Sequence, residues 1–203
     1  TDTDPLTVTG ISVPAASNVL LIYEAVVNAY APADLTGTIL NTADLHRAFN
    51  AGAKFAVAPG FNPTVVKEAF ANNFTFAPGV CTPSECEQAM ELGCKFLKFF
   101  PAEAAGGVKM IKALTAPYNM ISIMPTGGVS PANVNDYLAF NKIVCCGGSW
   151  MVKPEMIAAG DFEGITKLVR EAVDTMLGFK FKHIGEVLYA KNISREELNI
   201  SAE

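Results

Sequence analysis

The chain has 203 residues, half of them hydrophobic and 17% charged, a composition that excludes disorder and suits one domain with a sizeable core. The formal net charge is −5, which argues against non-specific nucleic-acid binding because that needs a basic face. An anionic substrate would therefore have to be held by a local site, built from backbone N–H groups.

In chain order, the opening Thr1-Asp2-Thr3-Asp4-Pro5 is acidic and lacks the basic and apolar regions of a signal peptide. Short apolar runs rich in β-branched or aromatic residues then recur at Leu6–Val13, Leu35–Leu40, Lys54–Ala58, Phe74–Ala77, Lys95–Phe99, Ile121–Met124 and Ile143–Cys146. Segments with helical spacing separate them: Thr42–Asn50, Pro63–Ala71, Pro83–Glu91, Gly106–Leu114, Pro131–Leu138 and Phe162–Met176. Several begin with a capping residue followed by proline, which leaves no hydrogen bond unmade in a first helical turn. Strands alternating with helices predict βαβ units and a parallel sheet. Seven strands exceed the usual open sheet, and a (β/α)8 barrel needs one more. Phe179–Ala190 (FKFKHIGEVLYA) could supply it, followed by a short helical pattern at Ser194–Leu198. The reading is a single barrel domain over residues 1–203, with its core from about 35 to 176.

The five cysteines are Cys81, Cys86, Cys94, Cys145 and Cys146, without a C-x2-C pair. They suit a reduced, cytoplasmic protein, with Cys145–Cys146 read as part of a buried strand rather than a redox pair. No apolar run reaches the roughly 18 residues of a membrane span, so no membrane partner is expected.

Lys98 sits inside the apolar run Phe96-Leu97-Lys98-Phe99-Phe100-Pro101. Alternate residues of a barrel strand point into the lumen. Burying an ammonium is costly, and desolvation favours the neutral amine, which can attack a ketone and form an imine. The plain alternative is a lysine that reaches solvent from a strand end, as Lys95 is expected to do. Two glycine clusters, Pro125-Thr126-Gly127-Gly128 and Gly147-Gly148-Ser149-Trp150, each follow one of the last two apolar strands. Loops at those places commonly bind phosphate in such barrels, with glycine admitting the anion to backbone and helix-start N–H groups. Two ordinary βα turns are the alternative. Trp150 and Phe100 read as core or pocket wall. His46 and His183 have no metal-ligand spacing around them, so no metal is expected.

Phe96-Leu97-Lys98-Phe99-Phe100-Pro101-Ala102-Glu103, Gly106-Gly107-Val108-Lys109, the run from Met124 to Asn133 and Gly147-Gly148-Ser149-Trp150 resemble the 2-keto-3-deoxy-6-phosphogluconate (KDPG) and 4-hydroxy-2-oxoglutarate (KHG) aldolase family. So do Gly37-Thr38-Ile39-Leu40, Ala58-Pro59-Gly60 and the run from Pro78 to Glu85, so that the resemblance covers about Leu35 to Met176. It implies a class I aldolase on a (β/α)8 barrel, with Lys98 as the imine-forming lysine. Thr38 would bind the pyruvate-derived carboxylate, Pro59 and Phe100 would line the pocket, and Thr126 would meet the substrate's polar groups. Gly127, Gly128, Gly148 and Ser149 would hold the phosphate. The implied reaction is reversible cleavage of KDPG to pyruvate and glyceraldehyde 3-phosphate, without metal or cofactor, in a homotrimer. Some members also act on 4-hydroxy-2-oxoglutarate.

The chain departs from the family at its second strand, where a general-base glutamate and an arginine are expected. The glutamate position falls on Val8, Thr9 or Gly10 and the arginine near Ser12 or Val13. General acid–base help is worth roughly 10²–10⁴-fold in rate. Glu103 or a water could substitute, or the protein is a weak or inactive barrel that binds sugar phosphate or keto acid, or residues 1–33 do not record the native strand. The family's first strand is also missing from the N-terminus. The tail at 179–203 either completes the barrel between Ile143–Cys146 and Leu6–Val13, as a circular permutation would, or begins a second glyoxalase-like domain, or is disordered.

Overall fold

The computed structural model of the chain describes residues 20–22, 38–53 and 55–190, with side chains from 38 to 53 and from 55 to 176. The strand expected at Leu6–Val13, the positions Val8, Thr9 and Gly10, and the short helix expected at Ser194–Leu198 lie outside these residues.

Local chemistry sets the first helices. Asn41 caps α1 (Thr42–Asn50) by accepting from the Asp44 N–H. Asn62 does the same for Thr64 and Val65 in α2 (Pro63–Ala71), which opens on proline. In α3 (Pro83–Glu91), Thr82 and Glu85 form a reciprocal capping box. All three have the bounds expected from the sequence. α4 (Gly107–Thr115) is displaced by one residue from expectation. α5 (Val134–Leu138) starts three residues late, because the Asn133 side chain accepts from the Ser130 N–H and holds residues 130–133 in a turn.

The strands are β1 (Leu20–Ile22), β2 (Phe55–Val57), β3 (Thr75–Ala77), β4 (Gly79–Val80), β5 (Phe96–Phe99), β6 (Ser122–Pro125) and β7 (Cys145–Gly147). Every pairing is parallel: β2 with β3, β4 with β5, β5 with β6, and β7 with β1. Bridges at Ile123–Ile143 and Thr126–Gly147 join β6 to β7. The Ile39 N–H donates to the Val57 carbonyl at 3.1 Å, which seats residues 38–40 beside β2 although they form no regular strand. β3 and β4 are one run of chain divided at Pro78, whose first half pairs with β2 and second half with β5. This succession of parallel strands and crossing helices is the order of a (β/α)8 barrel.

Two buried clusters follow from strand alternation. Leu97, Phe99, Ile123 and Cys146 pack outward against helical residues such as Val66, Cys86, Ile111 and Ala172. Val57, Ala77, Met124 and Cys145 form a second cluster, inside the barrel. Residues paired across parallel strands share a face, and Lys98 is paired with Met124, so Lys98 belongs to the inner set.

The tail does not complete the barrel. Residues 179–190 are part of α7 (Phe162–Ala190), a single helix that follows α6 (Pro154–Ala159). The Phe-Lys-Phe-Lys alternation at 179–182 is only four residues long. Leu177, Phe181, Ile184 and Leu188 repeat at intervals of four, three and four, a helical period that prevails over it. The place beside β7 is taken by β1, with Leu20 opposite Cys145 and Ile22 opposite Gly147. The circular permutation is thereby excluded. Among the described residues, no helix is long and apolar enough to cross a membrane.

Candidate active site

Lys98 is 3% exposed, in the middle of β5. Its N–H donates to the Pro78 carbonyl at 2.9 Å. Its cross-strand partners are Gly79 on one side and Met124 on the other. Lys95, expected to reach solvent, is exposed.

Gly79 explains how Pro59 comes close. A Cβ on Gly79 would lie 2.2 Å from the Pro59 carbonyl carbon and oxygen and 2.5 Å from the Gly60 nitrogen. The Pro59–Gly60 turn therefore crosses directly over the bare α-carbon beside Lys98, and the Gly79 N–H fastens it by donating to the Gly60 carbonyl at 3.1 Å. Thr38 stands beside the end of β2, two residues before that turn, and is exposed. Its hydroxyl makes no hydrogen bond among the described residues.

On the other side, Phe100 follows Lys98 by two residues and returns to the same face, with its ring centre 5.4 Å from the Lys98 Nζ. The ring abuts Gly127, where a Cβ would lie 3.2 Å from it. Thr126 lies two residues beyond Met124 and so also faces inward; it is 2% exposed. Its Oγ1 has no hydrogen-bond partner among the described residues. An unsatisfied buried hydroxyl costs roughly 1–3 kcal/mol, so this is a place prepared for a polar group.

The glycine loops complete the mouth. Gly127 and Gly128 have φ of 91° and 84°, a backbone that glycine adopts without the steric cost other residues bear. Three successive carbonyls, of Thr126, Gly127 and Gly128, accept from the Ala102 N–H at 2.8 Å, the Glu103 N–H at 3.0 Å and the Asn133 side-chain amide at 3.1 Å. The N–H groups of Gly128 and Val129 donate to no acceptor among the described residues. The same holds for Ser149 and Trp150 in the neighbouring loop, which the Thr126–Gly147 bridge brings alongside. Successive uncommitted N–H groups make a concavity for anions. The expectation that helix starts supply these donors is corrected, since α5 and α6 begin only at Val134 and Pro154.

Glu103, weighed above as a substitute base, has its carboxylate engaged by the Tyr137 hydroxyl. Burial, and then the Glu103 carboxylate, push the Tyr137 pKa well above the usual phenol range. Nothing in the sequence marks Tyr137; the one clue is Gly106-Gly107, the bare backbone against which the pair rests. Cys145 and Cys146 are buried in β7, and burial pushes both thiols up to about 12, as a strand reading expects. His46 pairs with Glu68 at 3.0 Å on the surface.

A family model described as KDPG and KHG aldolase matches residues 6–168. The 2-dehydro-3-deoxy-phosphogluconate aldolase of Haemophilus influenzae is 49% identical over 138 residues, 68% of this chain and 65% of that protein. The KHG/KDPG aldolase of Escherichia coli is 46% identical over the same shares of both chains. The chain thus spans just under two thirds of the length of these curated relatives. Among solved structures, a KDPG aldolase from Legionella pneumophila, with pyruvate captured at low pH as a covalent carbinolamine intermediate, is 35% identical with a TM-score of 0.63. That match covers 65% of this chain and 64% of the other.

Proposed function

The chain belongs to the KDPG and KHG aldolase family, and from that premise we propose that it is a class I aldolase that cleaves KDPG reversibly to pyruvate and glyceraldehyde 3-phosphate. The observation that carries this reading is Lys98, a lysine 3% exposed in the middle of β5 on the inner face of the barrel. In the proposed reaction the Lys98 nitrogen adds to the substrate's ketone carbon, and loss of water leaves a protonated imine. That cation accepts the electron pair of the carbon–carbon bond as it breaks. The C4 hydroxyl gives up its proton, the aldehyde product leaves, and the remaining enamine takes a proton and is hydrolysed to pyruvate. The imine is the electron sink, so the reaction needs no metal or cofactor.

Thr38 is assigned to the carboxylate end of the substrate, Pro59 and Phe100 to the pocket wall, and Thr126 to a substrate hydroxyl or carbonyl. The N–H groups of Gly127, Gly128, Gly148 and Ser149 are assigned to the phosphate on the resemblance, and those of Gly128 and Ser149 have no acceptor among the described residues. With Val8, Thr9 and Gly10 where the family places its carboxylate, proton removal lacks that help. Turnover should then be slow, by the roughly 10²–10⁴-fold that such a group supplies, while imine formation proceeds. We also assign a homotrimeric, cytoplasmic state, on the resemblance to the family. The test is pyruvate release from KDPG in a dehydrogenase-coupled assay. The wild-type protein should release it and a folded Lys98→Ala protein should not. Equal release by both, or none by either, would refute the assignment.

A further inference from the structure

The resemblance gives no role to Glu103 or Tyr137, yet the two are joined beside the loop assigned to phosphate. Residues 101–106 form turns rather than a helix or strand, and they carry the Ala102 and Glu103 N–H groups that hold the Thr126 and Gly127 carbonyls. The Glu103 stem also fills the space under Gly128, where a Cβ would lie 2.6 Å from its Cβ and Cγ. The shape of the glycine pair therefore depends on where Glu103 sits. Its carboxylate is fixed by the hydroxyl of Tyr137, a side chain with no solvent exposure. It is backed by Gly107, where a Cβ would lie 3.1 Å from the Glu103 Oε1 and 3.4 Å from the Tyr137 hydroxyl.

The helix that carries Tyr137 grips the loop a second time. Asn133 caps α5 and donates to the Gly128 carbonyl at 3.1 Å. Asn133 and Tyr137 are four residues apart, which puts them on one helix face. One turn of helix thus holds Gly128 directly and Gly127 through Glu103. Packing alone would be served by phenylalanine, so the hydroxyl's contribution is this one bond.

We propose that the Tyr137–Glu103 hydrogen bond braces the Gly127–Gly128 loop in its anion-binding shape, which makes both side chains positioning residues for the substrate's phosphate. The inference rests on the assignment of that loop to phosphate. Trp150, the single tryptophan, lies in the adjacent glycine loop, so its fluorescence can follow titration with inorganic phosphate. Tyr137→Phe should weaken phosphate binding, and raise KM for phosphorylated substrate, by about five- to thirty-fold, the size allowed by losing one hydrogen bond to a charged group. Glu103→Ala should match it, whereas Glu103→Gln, which keeps length and an acceptor, should recover most of the affinity. The rate of pyruvate trapping by borohydride should stay at the wild-type value in Tyr137→Phe, which a general loosening of the barrel would not allow.

Unchanged phosphate affinity in Tyr137→Phe would overturn the proposal. So would a matched loss of phosphate binding and pyruvate trapping, or a wild-type Trp150 signal blind to phosphate. If Tyr137→Phe fails to fold, the Glu103→Gln and Glu103→Ala pair decides, and equal affinities in those two overturn it. A wild-type protein that binds phosphate but is never labelled by pyruvate would refute the aldolase reading and leave the brace to stand or fall on the titrations.

Discussion

The Lys98 nitrogen lies 5.4 Å from the centre of the Phe100 ring, and a Cβ on Gly127 would lie 3.2 Å from the same ring. One aromatic ring therefore adjoins both the proposed imine nitrogen and the proposed phosphate loop. A cation over a ring face is attracted to it.

Thr126→Val should separate binding from stability. The Thr126 Oγ1 is buried without a partner, so replacing it with an isosteric methyl removes an uncompensated polar atom. Unfolding in urea should show stability unchanged or raised by about 1 kcal/mol, while kcat/KM for KDPG falls at least tenfold. A variant as active as wild type would place the substrate elsewhere.

Gly79→Ala should unfold or severely destabilise the protein. The new methyl would sit 2.2 Å from Pro59 backbone atoms, and backbone cannot swing aside as a side chain can. The expected loss is more than about 3 kcal/mol, at the upper end of overpacking. Gly60→Ala, with nothing within 4 Å of its Cβ, is the control and should change stability by less than about 0.5 kcal/mol. Equal thermal midpoints for the two variants would contradict the turn geometry.

Alkali should weaken the fold through its thiols. Burial pushes Cys86 and Cys94 up to about 11 and Cys145 and Cys146 up to about 12, from an ordinary value of 9.0. The folded state therefore holds these protons longer than the unfolded chain does. That contribution is fully present below about pH 9 and is lost as pH rises toward 11–12. Thermal midpoints should be level near neutrality and fall above pH 9. Cys81, half-buried, should react with a thiol reagent ahead of the other four. Five thiols reacting at one rate in the native protein would show that the burial is wrong.

What could be read from the sequence is what short stretches of chain decide. Asn41, Asn62-Pro63 and Thr82-Pro83 with Glu85 fix three helix starts through contacts within four residues. Lys98 breaks an apolar strand and so announces itself. The misreadings all involve distant partners or competing periods. β1 was hidden because Leu20 finds Cys145 across most of the chain, and no local pattern distinguishes its apolar run. The tail's brief alternation imitated a strand, while the longer helical repeat prevailed. The partner of Glu103 is Tyr137, 34 residues on, and no local pattern announces that pairing. That Thr126 lacks a partner is a fact of packing, which no pattern of residues encodes.

The most direct test of the account is incubation with pyruvate and borohydride, followed by peptide mass spectrometry. Reduction fixes the imine as a stable secondary amine, so the account predicts one added pyruvate-derived group, on the peptide containing Lys98, that phosphate does not abolish. Labelling at any other lysine, or no labelling at all, would contradict it.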